Sequence, residues 1–98
     1  MINLEKFSKA FSDKNRLKII DYLTSGQKNV SEIADKLNVE ENLASHHLRV
    51  LAGLGFLKSD KKGREVFYRL NETKFITLIK DLQKNAAFKD IFTKSIEE

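Results

Sequence analysis

The side chains best able to do chemistry in this chain lie between residues 41 and 49. On a helix, with about 100° between successive residues, five polar side chains of this stretch share one arc of about 140°. They are Glu41, Asn42, Ser45, His46 and Arg49. Amide, hydroxyl and guanidinium groups on one helical face can hydrogen-bond to the base edges in the major groove of DNA. An ordinary solvated helix face is the alternative explanation of the same pattern.

Acidic side chains stand at the start of this stretch. Glu40 and Glu41 favour a helix N-terminus there, because a carboxylate stabilises the positive end of the helix dipole. Close to DNA, the same charges are repelled by phosphate groups. Glu41 therefore either weakens binding or accepts a hydrogen bond from a cytosine amino group, and the sequence leaves both interpretations open.

The opposite side of the same helix is mostly apolar, which predicts that it is buried. It is formed by Leu43, Ala44, His47, Leu48, Leu51 and Leu54. We expect His47 to be a structural residue that is hydrogen-bonded beneath the helix, whereas His46 faces a partner. Because neighbouring helical residues point about 100° apart, the two imidazoles cannot readily chelate one metal ion.

A second group of candidate contacts is basic and lies at the tip of a predicted β-hairpin. The strands Phe56–Asp60 and Glu65–Leu70 bracket a turn in which Gly63 supplies a positive φ. The expected phosphate contacts are Lys61, Lys62 and Arg64 at the tip, with Ser31 as a flanking contact from an earlier helix. The net charge of +4, from 18 Lys and Arg against 14 Asp and Glu, supports a polyanionic partner only weakly. For the basic hairpin tip, the alternative interpretation is a charged turn that contacts only solvent.

Apolar residues at helical spacing predict two helices near the start of the chain, within residues 2–12 and 13–25. Ser12 or Asp13 can cap the second of these helices. Residues 26–29 are expected to form a polar turn, because they combine glycine with polar side chains.

A helix-turn-helix unit follows this turn. Asn29, with Glu32 three residues later, resembles a capping box and opens a short helix over residues 30–37. A brief connection leads to the candidate contact helix, Glu41–Leu54, and Gly55 then suits the left-handed position just past a helix end. Two short helices joined by about three residues are typical of this motif.

The last helix begins after Asn71, which can cap it, and apolar residues continue at helical spacing beyond Asn85. The chain is therefore expected to be one winged helix-turn-helix domain over residues 1–98. Its class is mainly α with a β-hairpin wing (α+β), in the order α-α-α-α-β-β-α. This arrangement places the candidate contact helix next to the basic hairpin.

Composition excludes several classes of function. The chain has no cysteine, which removes disulfides, thiolate zinc sites and thiol redox sensing. It has no glycine-rich phosphate loop, nucleophile motif or carboxylate–histidine cluster, so we expect neither an enzyme nor a bound cofactor. No segment resembles a signal peptide or reaches the length of a membrane span, so we expect a cytoplasmic protein with no membrane partner.

Five segments of the chain resemble the ArsR/SmtB family of winged-helix repressors. They are Asp13–Ile20, Val30–Ala34, Ala44–Leu51, Leu54–Leu57 and Gly63–Leu70. The Ser-x-His-Leu core in the third segment and the spacing from Gly-Arg to Tyr-x-Leu in the fifth are the more specific features. Together the segments span most of the chain, and the two end helices match by position only.

The resemblance implies a homodimer, built from the first and last helices, that binds an inverted-repeat operator in double-stranded DNA and represses transcription. The apolar residues expected in its interface are Leu4, Phe7, Phe11, Phe75, Ile79 and Leu82. Packing within one chain is the alternative for these residues. For the domain as a whole, the alternative is a winged-helix module that binds proteins and has no specific DNA site.

Many members of this family release DNA when a metal ion binds, and the chain departs from both metal sites that the resemblance implies. At the site before the contact helix, the cysteines are replaced by Asn29, Ser31 and Ala34. At the site in the last helix, the corresponding residues are Glu72, Lys74, Asn85 and Phe88. One carboxylate does not make a metal site. We therefore predict that the protein senses no metal ion through either of these sites, and the sequence identifies no small effector.

Overall fold

The computed structural model describes residues 4–84, except for the side chains of Leu4, Lys6, Phe7, Leu82 and Gln83. Within that range, five helices and three strands follow in the order α1 (Leu4–Phe11), α2 (Lys14–Leu23), β1 (Lys28–Asn29), α3 (Val30–Leu37), α4 (Glu41–Gly53), β2 (Leu57–Lys62), β3 (Glu65–Leu70) and α5 (Glu72–Lys84). This is the predicted winged-helix order with one additional strand, β1. The predicted continuation of the last helix beyond Asn85 lies outside the described residues.

Side-chain caps begin two of the helices. Asp13 is the N-cap of α2, and its Oδ1 accepts the backbone N–H groups of Asn15 at 2.8 Å and Arg16 at 3.2 Å. The predicted capping box of α3 is confirmed: Asn29 Oδ1 accepts the N–H of Glu32 at 2.8 Å, and Glu32 Oε1 accepts the N–H of Asn29 at 3.0 Å. These bonds satisfy N–H groups that have no partner within the helix.

The connection between α3 and α4 is short because the chain reverses at one left-handed residue. Asn38 is the C-cap of α3 and has φ 56°, a conformation that asparagine tolerates better than most residues. Its backbone N–H donates to the last carbonyls of α3. The following helix starts three residues later, at Glu41, and the two helices form the predicted helix-turn-helix unit.

The strand β1 corrects one expectation from the sequence. Residues 26–29 were expected to be a turn throughout, but Lys28 and Asn29 pair antiparallel with Tyr68 and Phe67 of β3. The sheet order is β1-β3-β2, so β3 is the central strand. The pairing is set by a partner about forty residues away, and no local pattern indicates it. It joins the start of α3 directly to the hairpin.

The hairpin turn is tighter than predicted. The strands β2 and β3 are in register from Leu57 opposite Leu70 to Lys62 opposite Glu65, which leaves only Gly63 and Arg64 in the loop. Gly63 has φ 63°, as the first loop residue of a type II′ turn requires. Lys61 and Lys62 therefore belong to the end of β2, where the sequence had placed them in the turn.

The core lies where α2, α3 and α4 meet the base of the hairpin. Its most buried large side chains are Ile19, Ile33, Leu48, Leu51 and Phe56. They come from the apolar stripes of three helices and from the residue that precedes β2. Helix α4 is thus held in place by its apolar side. None of the helices in the described range is long and apolar enough to cross a membrane.

Candidate nucleic-acid interface

Helix α4 presents two chemically different faces. Glu41, Asn42, His46 and Arg49 are exposed, and Ser45 is half-buried. The opposite side is buried and contains Ala44, His47, Leu48 and Leu51. The predicted division of this helix is confirmed for these residues. The polar face is therefore free to contact a partner while the apolar face anchors the helix.

One residue of α4 departs from the predicted division. Leu43 was expected on the buried side, but 43% of its surface is exposed. Leu43 points about 100° away from the fully buried Ala44, so it lies at the margin of the apolar face and the core does not cover it. An apolar group of this kind beside the polar face can contact a thymine methyl group as well as water.

A groove of about 350 Å³ separates the start of α4 from the hairpin tip. The structure brings four of the predicted contact residues to its walls: Ser31 from α3, Glu41 and Ser45 from α4, and Arg64 from the hairpin loop. The other predicted residues of α4 lie on its exposed side outside this lining. The contact surface is therefore built from three elements, which sequence spacing alone does not bring together.

Two residues of the groove are already bonded to each other. Ser31 Oγ donates a hydrogen bond of 2.8 Å to Oε1 of Glu41. The bond joins the first turn of α3 to the first residue of α4, across the turn of the helix-turn-helix unit. The two residues are ten positions apart and no sequence pattern relates them, so this contact was not predictable.

The hairpin tip carries the concentrated positive charge that the sequence predicts. Lys61, Lys62 and Arg64 are all exposed. The ammonium group of Lys62 lies 5.1 Å from the ring centroid of Phe67, a cation–π contact that orients its stem along the strand pair. Exposed ammonium and guanidinium groups at a hairpin tip can bind phosphate oxygens without regard to base sequence.

The hairpin is joined to the helix-turn-helix unit along β3, from the middle of the strand to the end next to the loop. Besides the pairing of β1 with β3, Asn29 Nδ2 donates to Oε1 of Glu65 at 3.4 Å. Glu65 also lines the groove, and sequence analysis had not assigned it a role. The same asparagine that caps α3 thus contacts the hairpin. The distance between α4 and the basic tip is accordingly set by strand pairing as well as by packing.

The histidine beneath α4 differs from its prediction in one respect. His47 is buried, with 6% of its surface exposed, as expected. The expected hydrogen bond is wrong, because Nδ1 has no hydrogen-bond partner among the described residues and lies 4.0 Å from Oδ1 of Asp13. That oxygen instead accepts the two N–H groups at the start of α2. Burial lowers the pKa of His47, and the Asp13 carboxylate opposes this effect only in part. The imidazole is therefore neutral at neutral pH.

The Asp13 carboxylate is held in its charged form. Burial raises its pKa, but the backbone N–H groups of Arg16 and Asn15, together with the positive charges of Arg16 and of His47 once protonated at acidic pH, lower it by more. The net result is a pKa below the ordinary 3.8. This charge supports the N-terminus of α2, and it faces the buried side of α4.

The residues expected in a dimer interface fall into three groups. Phe11 and Phe75 are half-buried, and their rings, 6.3 Å apart, both contact Phe56 at 5.3 Å within one chain. On α5, 52% of the surface of Ile79 is exposed, and 53% of the surface of Ile76 is exposed as well. The side chains of Leu4, Phe7 and Leu82 lie outside the described residues. Within the described residues, Ile76 and Ile79 therefore form an exposed apolar strip on α5, next to an aromatic cluster that packs inside the protomer.

No group of three or more metal-binding side chains comes together within residues 4–84. At two of the positions where the family resemblance implied cysteines, the side chains take part in other contacts. Asn29 caps α3, and Ser31 binds Glu41. The described geometry offers no ligand cluster at that place.

Comparisons with known proteins agree with this architecture. A family model described as bacterial regulatory protein, arsR family, matches residues 13–59. The transcriptional repressor SdpR of Bacillus subtilis (strain 168) is 37% identical over 65 residues, which cover 66% of this chain and 72% of that protein. Across the first three curated relatives, the matched region spans between 53% and 72% of their own length.

Solved structures show the same fold. An ArsR-like transcriptional regulator from Rhodococcus sp. RHA1 superposes with a TM-score of 0.77 at 28% identity, covering 96% of this chain and 86% of that one. The homodimeric winged helix-turn-helix DNA-binding domain of Mb0332 from Mycobacterium bovis superposes with a TM-score of 0.67 at 24% identity, covering 84% and 82%. The sequence match, the fold and the two-faced helix α4 agree: the chain belongs to the ArsR family of DNA-binding transcription regulators.

Proposed function

We propose that the protein is a sequence-specific repressor that binds an inverted-repeat operator as a homodimer in the cytoplasm. One observation carries the proposal: residues of the polar face of α4 and of the hairpin tip line the same groove. The opposite face of α4 is buried in the core and holds the helix in place. A helix held in this way can enter a major groove as a rigid element.

The residues divide into two roles under this proposal. Asn42, Ser45, His46 and Arg49 have the hydrogen-bonding groups needed to contact base edges, with arginine suited to guanine and asparagine to adenine. Lys61, Lys62 and Arg64 bind phosphates and supply affinity that does not depend on sequence. Base contacts select the site, and phosphate contacts position the protein on it.

The exposed apolar strip on α5 supports the proposed homodimer. Ile76 and Ile79 each expose more than half of their surface, and a second copy of the chain would bury them. Two copies related by twofold symmetry would present two α4 helices to successive major grooves, which requires two half-sites about 34–36 Å apart. The Mb0332 domain, which has the same fold, is homodimeric, and this supports a dimer of the present chain.

Regulation by metal is not part of the proposal. The cysteine positions of the α3 site hold Asn29, Ser31 and Ala34, and no ligand cluster forms within residues 4–84. We expect zinc to leave a protein–operator complex intact when it is titrated in and monitored by fluorescence anisotropy. Release of the DNA at stoichiometric zinc would contradict this expectation.

The experiment that tests the function is a selection of bound fragments from the source genome, followed by anisotropy titration of the selected site against a shuffled sequence. Specific binding predicts affinity for the selected site at least a thousandfold above that for the shuffled one, the lower end for specific DNA-binding proteins. Sedimentation should show two chains per site. Equal weak affinity for both sequences would indicate a protein-interaction module instead.

A further inference from the structure

We propose that Ser31 and Glu41 form one base-reading unit that selects cytosine at one position of each half-site. Glu41 would contact the base, and Ser31 would act as a positioning residue for its carboxylate. The proposal rests on the proposed function and adds a substrate feature to it: a cytosine on the DNA strand that faces the start of α4.

The observed hydrogen bond decides what the Ser31 hydroxyl can do. Its single proton is donated to Oε1 of Glu41 at 2.8 Å. A phosphate oxygen only accepts hydrogen bonds, so this hydroxyl has no proton left to donate to one. The predicted DNA contact of Ser31 is therefore replaced by a contact within the protein.

The same bond determines which oxygen of Glu41 is presented to a partner. With Oε1 held by Ser31, Oε2 remains an acceptor on an exposed side chain at the wall of the groove. Glu41 is the first residue of α4, the end of a recognition helix that approaches base edges. Its carboxylate is thus aimed and restrained before DNA arrives, which lowers the entropy lost on contact.

The charge of Glu41 restricts the groups that it can contact. A carboxylate is repelled by phosphate, and it gains a hydrogen bond only from a donor. In the major groove, guanine presents two acceptors and thymine presents an acceptor and a methyl group. Adenine presents its amino donor next to the N7 acceptor, whereas the cytosine amino group has no acceptor beside it on the same base. Cytosine is therefore the base that this carboxylate fits.

The neighbouring residue offers a matched control. Glu40 is also exposed and carries the same charge at the same helix end, but its side chain makes no capping hydrogen bond. Replacing either glutamate by glutamine removes one negative charge from the same region. Any effect of charge alone is common to both variants, and an effect on base preference is expected only for Glu41.

The test is a selection from a randomised operator library with the full chain, comparing wild type, E41Q, E40Q, S31A and S31T. Wild type should prefer cytosine about tenfold at one position of each half-site, the scale of one good base contact. In E41Q that preference should shift to adenine, because an amide pairs with the adenine N6 and N7 groups. E40Q should bind all sequences more tightly and keep the cytosine preference.

Ser31 is tested by removing and restoring its hydroxyl. S31A should reduce the cytosine preference to threefold or less without changing affinity for random DNA, and S31T should restore the preference. A uniform loss of affinity in S31A with the cytosine preference intact would overturn the proposal in favour of a phosphate contact. An unchanged preference in E41Q would overturn it as well.

The result for the wild type distinguishes a failure of the proposed function from a failure of the base-reading unit alone. If the wild type selects no sequence at all, the proposed function fails together with the base-reading unit. If it selects an operator whose base preferences are the same in E41Q, the function stands and only the role of Ser31 and Glu41 is overturned. Circular dichroism of each variant checks that the helices are retained.

Discussion

The two faces of α4 differ in what they require of a side chain, and its adjacent histidines illustrate the difference. His46 is exposed on the polar face of α4. His47 is buried, 4.0 Å from Asp13, with an imidazole nitrogen that has no hydrogen-bond partner in the described part of the chain. The buried face fixes the helix through packing, whereas the exposed face is left for chemistry with a partner.

Stability and recognition of a partner therefore depend on different residues of the same helix. A change on the buried face should lower the free energy of unfolding without altering base preference. A change on the exposed face should alter binding and leave folding intact. The hairpin tip extends the contrast, because its exposed charges should affect affinity without affecting base preference.

The largest effect is expected from the buried face. Leu48→Ala removes a side chain that has no exposed surface, and leucine-to-alanine changes in cores cost about 2–5 kcal/mol of unfolding free energy. Urea denaturation followed by circular dichroism measures the loss. Arg49→Ala, at the next residue, is the matched control and should change the unfolding free energy by less than about 0.5 kcal/mol. Similar losses in both variants would show that the two faces of α4 do not differ in their contribution to stability.

The next largest effect is expected in binding from the exposed face. Arg49→Ala should cost about 1–3 kcal/mol of discrimination between the operator and random DNA, as the loss of an arginine–guanine contact does. Anisotropy titrations on both sequences give this difference. If the variant loses the same affinity on operator and random DNA, Arg49 is a phosphate contact and not a base contact.

A smaller and uniform effect is expected from the hairpin tip. Lys62→Ala removes one phosphate contact, so the slope of log affinity against log salt should decrease by about one on operator and random DNA alike. The measurement is a titration at several salt concentrations. Lys18→Ala, an exposed lysine on α2, is the control and should leave the slope unchanged. A change in base preference in the Lys62 variant would contradict the division of roles.

The smallest effect is expected from the pH dependence of stability. Because the folded protein lowers the pKa of His47, its unfolded form takes up a proton first, so stability falls as the pH drops below 6.5. The nearby Asp13 carboxylate limits this loss, and its own lowered pKa adds a separate loss only below pH 3.8. Unfolding free energy measured from pH 7.5 to 5 should fall in wild type.

The two histidines supply the variants for this measurement. His47→Leu should flatten the pH dependence between pH 7.5 and 5, since it removes the buried titrating group. His46→Leu removes the smallest of the effects that lower the pKa of His47, so it should weaken the dependence only slightly. A flat profile in the wild type, or a loss of the dependence in the His46 variant, would contradict the assignment.

Much of the fold was predictable because it depends on local patterns. The apolar spacing of residues 30–37 and 41–54 indicated both helices of the helix-turn-helix unit, and the capping box at Asn29 gave the start of α3. Gly63 indicated the turn of the hairpin. Such patterns are predictable because helix periodicity and turn geometry are properties of neighbouring residues.

For the candidate site, only the kinds of residue that could contact DNA were predictable. The sequence indicated that polar residues of α4 and basic residues of the hairpin could contact DNA. It did not indicate that Ser31 binds Glu41, or that Glu65 joins the groove. These contacts depend on how α3 crosses α4 and on where the hairpin meets them, so they connect residues that share no local pattern.

The polar side of α4 was predictable from the order of its residues, because that division follows from about 100° of rotation per residue along a helix. Three other features came from the way the elements pack: Leu43 is exposed, His47 Nδ1 has no partner within the described residues, and Ser31 restrains Glu41. The physical reason is the range of the interactions. Periodicity and caps involve residues within one turn of each other, whereas these outcomes depend on the edge of the core and on the distances between elements that pack against one another.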